Sequence, residues 1–385
     1  MTYQSDYTVP AELLALIQQD GLAALPEVWR ILVNTAMLAE RQHYLGVGPY
    51  ERGAARTDQA NGFKPKTVTT RVGEITFAVP QVRHGDFYPQ ALEKGQRSER
   101  ALNLALAEMY VQGVSTRKVA AVVEALCGTT VSSAHVSAAV AALDPVLAAW
   151  RSRPLGECPY VSMDARYERV RVDGAVRDAA VLIAVGIDRA GKRAVLGVSV
   201  SLSEAEVHWR EFLSSLVARG LRGVQLLVSD AHEGLQAARR AVFGGVPWQR
   251  CQIHIQQNAQ AYVPAEALKT EVAADLRALF NAPDKPAALA LLDKAVAKYS
   301  KTASKLAAWL PDNVLEGLTV FGLPEGQRRL LRTTNGLERV NRELKRRTRV
   351  VSIFPNEASC LRLVSALLME LSEEWETGRA YLTYD

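Results

Sequence analysis

The chain has 385 residues, 48% of them hydrophobic and 23% charged, with 46 Lys and Arg against 41 Asp and Glu and a formal charge of +5. These proportions exclude a disordered, collagen-like or disulfide-scaffold protein, and the length suits two or three domains of ~100–200 residues, each with its own core. A net charge this small does not by itself argue for a polyanion partner, so the distribution of charge along the chain carries more information than the total.

The N-terminal stretch MTYQSDYTVP lacks the basic and apolar regions of a secretory signal. Apolar residues recur at helical spacing from Ala11 to Gly46, and Pro26 opens a second helix through Leu32, Val33, Ala36 and Leu38. Residues 47–66 are polar and aperiodic and read as a loop. The segment KTVTTRVGEITFAVPQVR then alternates as a hairpin does, with a turn near Val72-Gly73-Glu74. From Arg100 to Trp150 the pattern is helical again. Ala105–Val111 is stopped by Gly113, Ser115 caps Thr116–Leu126, Gly128 breaks that helix, and Ser132 or Ser133 caps a third. Helix, short turn, helix is the spacing of a helix-turn-helix unit, and equally of three packed helices with Gly stops. The third helix offers base edges only His135 and serines.

Pro154–Pro159 reads as a domain boundary, after which strands dominate: Tyr160–Met163, Tyr167–Val172, Ala179–Ile187 and Ala194–Ser201. A helix at Glu204–Arg219, a strand at Val224–Val228, a helix at Glu233–Val242 and a short strand near Trp248–Gln252 follow. Val172-Asp173-Gly174 and Asp188–Lys192 are the hairpin turns. Three hairpin strands followed by a helix, a parallel-type strand and a helix match the order of an RNase H-like sheet. Residues 264–325 are Ala/Leu helices with stops at Pro283, Pro286 and Pro311, an α-helical insertion. Helices from Asn335 to about Arg347 and over Glu357–Glu374 close the chain.

The expected fold is therefore α/β. A helical N-terminal region occupies 1–50, and a DNA-binding region with a small β element and a helix-turn-helix-like unit occupies 51–153. An RNase H-like catalytic domain begins at 154–263, carries its insertion at 264–325 and ends with the C-terminal helices of 326–385. Cys127, Cys158, Cys251 and Cys360 are scattered, which fits a reducing compartment rather than a disulfide framework. No uninterrupted apolar run approaches the ~18–20 residues of a bilayer span. The expectation is a cytoplasmic protein with no membrane partner.

Metal-assisted phosphoryl transfer needs hard oxygen ligands gathered in space. Asp164 closes the predicted strand YVSMD, Asp230 closes VQLLVSD just before a helix, and Glu338 lies in the first turn of the helix in TTNGLERVNRELKRR. Carboxylates at strand ends face the edge of the sheet where α/β sites collect. Each also has an ordinary explanation: an Asp after a strand is commonly a turn or cap residue, and Asn335 with Glu338 would make a capping box. Asp173, Asp188 and Glu233 are rivals, the first two better explained as hairpin-turn residues. Between Arg328 and Arg349 nine basic residues face only Glu338 and Glu343, a local charge of +7 that exceeds the total of +5. On a helix Glu338, Arg342, Lys345 and Arg349 form one stripe and Leu337, Val340 and Leu344 another. That density favours a polyanion partner over a merely solvated face. Cys251 and His254, in QRCQIHIQQN, are half a zinc site at most and read better as a structural pair.

The four segments YVSMDARYERVR, LLVSDAHEGL, QRCQIHIQQN and RTTNGLERVNRELKRRTRVVSIFP together resemble the Mutator-type transposases of bacterial insertion sequences, and the likeness extends over about residues 55–365. The resemblance implies a DDE triad on an RNase H-like fold and assigns it to Asp164, Asp230 and Glu338, with the family's Cys-x-x-His signature at Cys251 and His254. The sequence departs from the family at Gln252, where a bulky residue is usual, and at Ile255-Gln256, which replaces a basic step. The implied activity is that of a DNA transposase that binds the terminal inverted repeats of its element and cleaves and joins strands with two Mg²⁺ ions, Mn²⁺ being able to substitute. Arg332, Arg339, Arg342, Lys345, Arg346, Arg347 and Arg349 would hold DNA, and joining two ends would require a homodimer on DNA, nucleoid-associated when bound. An RNase H-like nuclease or junction resolvase, and a helix-turn-helix regulator with an inert catalytic domain, are the competing readings.

Overall fold

A computed structural model of the chain describes residues 11–48, 51, 56–95 and 97–384. The chain divides into two compact units, Met1–Ala142 and Leu143–Asp385.

In the first unit, α1 (Ala11–Asp20) leads to α2 (Leu25–Leu45), with Pro26 in the opening turn and Gly46 ending the helix at φ 69. Proline suits that first turn because its missing N–H has no helical partner to lose. The strands β1 (Ala60–Thr70) and β2 (Gly73–Val82) pair as an antiparallel hairpin across Arg71 and Val72. Strand β1 thus begins at Ala60, inside the segment expected to be a loop. Its first residues are exposed, so no buried face imposes the alternation that would have marked them. Met37 of α2 packs with Val68, Ile75, Phe77 and Val79 as one core cluster of this unit. Helices α3 (Arg100–Val111), α4 (Thr116–Cys127) and α5 (Ser133–Ala141) follow. The Ser115 hydroxyl accepts the Lys118 N–H, and that of Ser132 accepts the His135 N–H, each satisfying an orphan amide of a first turn. The ring of His135 lies 3.0 Å from Oδ1 of Asn103, so the polar side chain of the third helix is engaged inside the helical cluster.

The second unit opens with α6 (Asp144–Ser152), ahead of the Pro154 boundary. Arg362 grips Asp144 with two 2.7 Å bonds, and Arg151 donates to Ser365. Five strands follow in the spatial order β5-β4-β3-β6-β7: β3 (Tyr160–Val172), β4 (Ala175–Ile187), β5 (Arg193–Ser201), β6 (Leu226–Ser229) and β7 (Trp248–Arg250). The first three are antiparallel, while β6 lies parallel to β3 and β7 parallel to β6. The β3–β4 turn places Asp173 at φ 49 and Gly174 at φ 80, as a two-residue hairpin with right-handed strand twist requires. In the β4–β5 turn the Asp188 carboxylate accepts the N–H groups of Ala190 and Lys192. Both rival aspartates are therefore turn residues.

Helices α7 (Glu206–Ala218) and α8 (Glu233–Phe243) cover one face of the sheet, burying Trp209, Phe212, Leu213, Leu216 and Leu235 against Val161, Met163 and Leu227. Full burial of each such side chain contributes ~1.5–3 kcal/mol. After α9 (Gln252–Gln260), the helices α10 (Glu266–Phe280), α11 (Lys285–Tyr299) and α12 (Ser304–Val314) form a cluster with its own core around Leu276, Leu292, Leu306 and Leu310. Two of the expected proline stops do not stop helices. Pro286 lies in the first turn of α11, whose N-cap is Asp284, and Pro311 lies within α12. Three more helices, α13 (Glu325–Leu331), α14 (Asn335–Thr348) and α15 (Glu357–Thr377), return to the sheet. The C-terminal residues pass so close to the β4–β5 turn that a Cβ on Gly191 would lie 1.7 Å from the Leu382 carbonyl oxygen.

By length and composition, Ala11–Leu45 and Ser133–Ser152 are long and apolar enough to cross a bilayer, at mean hydropathy 1.2. Neither is an uninterrupted apolar run, because a window average tolerates scattered charges. Each stretch is broken, the first by the 3-10 helix Gly21–Ala24 and the second ahead of α6, and buried helices of globular proteins meet the same criterion.

Candidate active site

The parallel pairing of β3 with β6 runs through Tyr160–Leu226, Val161–Leu227 and Ser162–Val228 and then stops. Asp164 and Asp230 each lie two residues beyond the last pair, so continuing the register sets them level with one another where β6 departs. Asp164 does not end its strand as the sequence suggested. It sits inside the 13-residue β3, opposite Ile183, because antiparallel pairing to β4 continues to Val172–Ala175. Alternation along the strand gives Asp164 the same face as Tyr160, which packs with Leu226, Val228, Val320 and Leu331. The apolar side chains therefore prepare one face of the sheet, and the carboxylate stands at its open margin.

Asp164 is only 9% exposed. Burial pushes its carboxyl up to about 7, the Asp230 charge adds to that rise, and His254 opposes it. Glu204, also buried, contributes a further repulsion. Asp230 is half-buried, and its Oδ1 accepts the His232 N–H at 3.2 Å. His232 in turn lies 3.6 Å from Glu204.

Helix α14 is tied to β3 at several points. Asn341 Nδ2 donates to Asp164 Oδ2 at 2.8 Å, Arg166 donates to the Asn341 carbonyl, and Thr348 donates to Glu168 at 2.8 Å. Leu337, Val340 and Leu344 are buried, whereas Arg339, Arg342, Lys345 and Arg349 are exposed, as the two-stripe pattern requires. Glu338 is half-buried and precedes Asn341 by three residues, about 4.5 Å of helix rise on the same face. The capping box that would have given Asn335 and Glu338 an ordinary role is not formed: Thr334 is the cap residue, it makes no side-chain cap bond, and Asn335 is already helical. Among the described residues no group of three or more His, Cys, Asp or Glu is close enough to hold a metal, so Glu338 is not drawn into a ligating cluster with the two aspartates. The donor chemistry around Asp164 nevertheless fits a hard divalent cation. Two carboxylates repel one another, and the Asn341 amide oxygen beside them is buried without a hydrogen-bond partner.

The basic residues divide by environment. Arg347 is buried, donating to Glu343 and Glu370, which removes it from the expected DNA-facing set: its guanidinium holds α14 against α15. Arg346 is exposed and pairs with Glu343, three residues earlier on the same helix. Arg332 is half-buried and donates to the Phe280 carbonyl and to Asn281.

Cys251 and His254 form one unit. The Thr334 N–H and hydroxyl both donate to the Cys251 sulfur at 3.4 Å. The Cys251 contact holds the His254 imidazole up at about 9, against its own burial and with help from the charges of Asp164 and Asp230. The contacts of His254 and Thr334 hold the thiol low despite burial. Nδ1 of His254 is buried without a hydrogen-bond partner. Gln252, the departure from the family pattern, is buried and donates to the Gly317 carbonyl at 2.8 Å, joining α9 to the helical insertion. Glu204 and Asn341 were not legible as members of this neighbourhood. Asn341 had one signal, its i+3 spacing from Glu338; Glu204, a lone carboxylate after β5, had none.

Adjacent parallel strands bring a buried carboxylate and a half-buried one level, beside a helix with an exposed basic stripe, an arrangement whose chemistry suits phosphate esters. The family model described as transposase, Mutator family, matches residues 7–378. The chain is 59% identical over 373 residues to the transposase for insertion sequence element IS406 of Burkholderia multivorans, covering 96% of each chain. It is 43% identical to the transposase for insertion sequence element ISRM5 of Rhizobium meliloti, covering 97% of this chain and 93% of that one. With the transposase for insertion sequence element IS256 in transposon Tn4001 of Staphylococcus aureus it shares 37% identity, covering 91% of each. The chain belongs to the Mutator family of transposases.

Proposed function

We propose that this transposase cleaves and joins DNA at the ends of its own insertion sequence through a DDE centre formed by Asp164, Asp230 and Glu338 on an RNase H-like sheet. The observation that carries the reading is the register of β3 and β6, which sets Asp164 level with Asp230 at the margin where β6 ends. The strand order β5-β4-β3-β6-β7, with three antiparallel strands and two parallel ones, supports the RNase H-like assignment. Asp164 and Asp230, with Glu338 moving in from the first turn of α14, are the residues that would hold Mg²⁺ or Mn²⁺, which when bound activates a water or 3′-hydroxyl and offsets charge on the leaving oxygen.

The side chains themselves supply the positioning. Asn341 fixes the orientation of the Asp164 carboxylate, and the His254 cation lowers the cost of bringing several negative charges together. Arg339, Arg342 and Lys345 hold phosphates without reading bases, as exposed cations on a helix do. Recognition of the terminal inverted repeats belongs to residues 51–153. Joining two ends requires two copies of the chain on DNA, at the nucleoid.

In cleavage and strand-transfer assays on a labelled duplex bearing the element's own end, Asp164→Asn, Asp230→Asn and Glu338→Gln are each expected to reduce both steps to background while end binding persists. Any one of the three retaining full activity removes that residue from the centre. Cleavage without strand transfer from a pre-cut end would instead identify a nuclease.

A further inference from the structure

A cavity of about 350 Å³ lies between the helical insertion and the catalytic helices, apart from the Asp164–Asp230 pair. Its walls include Arg277 of α10, Arg329 of α13, Arg332, Thr333, Gln256 of α9 and Asn335 at the start of α14. No Asp or Glu lines it. Arg277 and Arg329 are exposed, and among the described residues none of the three arginines makes an ion pair. Arg332 is further desolvated and feels the repulsion of Arg329, so like charges are held together without a counter-charge. Its contacts to the Phe280 carbonyl and Asn281 fix the guanidinium in place and leave its charge uncompensated. The first-turn N–H groups of the 14-residue α14 add a positive end at the same wall.

From these observations we infer that the Arg277–Arg329–Arg332 cavity is a binding site for one backbone phosphate of DNA. An arginine fork matches a phosphate in geometry and charge, and a phosphate held among the three offsets the repulsion between Arg329 and Arg332. The inference rests on the transposase reading and refines it. One phosphate is gripped jointly by the insertion and by the residues preceding Glu338, so the DNA strand is pinned three residues ahead of that carboxylate, independently of base sequence.

The test uses the full chain and fluorescence anisotropy on a duplex carrying the element's own end. Arg277→Gln with Arg329→Gln is expected to lower the slope of log affinity against log salt by about 0.9, the value of one phosphate contact. Arg277→Lys with Arg329→Lys is expected to restore most of that slope, and an unchanged thermal melt shows that both variants are folded. In a scan of single neutral methylphosphonate linkages, the wild type should lose affinity at one linkage at which the double Gln variant loses none. An unchanged salt slope, or equal sensitivity of variant and wild type at every linkage, overturns the assignment while leaving the transposase reading intact. Thermal stabilisation of the wild type, but not of the variant, by millimolar inorganic phosphate with no change in DNA slope makes it a free-anion site and likewise overturns it. A wild-type chain that does not bind the duplex at all overturns the pocket and the end-binding reading together.

Discussion

The buried environment of Asp164 has a thermodynamic consequence. Its carboxyl is raised to about 7 by burial and by Asp230, so ionising it costs stability in the folded protein. The side chain favours folding fully below its unfolded value near 4 and loses that contribution as pH rises through about 7. Asp164→Asn, which stays neutral, should therefore match the wild type near pH 4 and exceed it in metal-free buffer at pH 8. At ~1.4 kcal/mol per pK unit, the difference is on the order of 1–4 kcal/mol. Thermal melts across that range check the sign: a variant less stable than the wild type at pH 8 would mean that the repulsion is not there. The same residue predicts the response to metal. Adding Mg²⁺ should raise the wild-type melting temperature at pH 8 and leave Asp164→Asn unmoved, because only the ionised pair gains from a cation.

At the scale of the element, α14 has two jobs that its sequence runs together. Arg342 and Lys345 are exposed and Arg347 is buried between Glu343 and Glu370, although all three read alike as part of one basic run. Reversing charge at Arg342 and Lys345 should weaken DNA binding and flatten its salt dependence while leaving the melt unchanged. Arg347→Ala should do the opposite. It removes one of the two arginines that hold the Glu343 carboxyl down at about 2, leaving Arg346, and it removes the clamp to α15. Because both glutamates are partly exposed, the expected cost is about 1–3 kcal/mol in chemical denaturation, below that of a fully buried pair. A change confined to DNA affinity would return Arg347 to the DNA-facing set. The Leu337, Val340 and Leu344 stripe was legible because burial imposes a 3.6-residue period. Which cations of the same helix meet solvent depends on where α15 passes, and helical period does not encode that.

Across the whole molecule, the division into two compact units falls between Ala142 and Leu143 in the chain, with α6 belonging to the second. The fragment 143–385 should melt cooperatively on its own. A fragment starting at Pro154 loses the buried Leu147 and Trp150 and the Asp144–Arg362 pair, and it should be less stable by about 3–6 kcal/mol. Equal stability of the two fragments, measured by urea denaturation, would put the working boundary at Pro154. The composition shift at Pro154–Pro159 marks where strands begin, which is not where packing divides.

Much of the architecture was written locally. The hairpin turns at Asp173-Gly174 and Asp188–Lys192, the caps at Ser115 and Ser132, the stop at Gly128 and the apolar strands all depend on backbone conformation or on one buried face, which neighbouring residues specify. The strand start at Ala60 and the continuity of β3 through Asp164 were not legible, because pairing partners distant in sequence keep those residues extended. The chain by itself thus determined its turns, its helical and strand periods, its concentrated basic helix and, through the family's motifs, its kinship. Only the tertiary structure decided that Asp164 and Asp230 stand level, that Glu204, His254 and Asn341 share their surroundings, and that Arg347 is structural. Those facts rest on strand register and on packing between separate segments, from 23 residues apart for Arg347 and Glu370 to 177 for Asp164 and Asn341, and no local pattern records them.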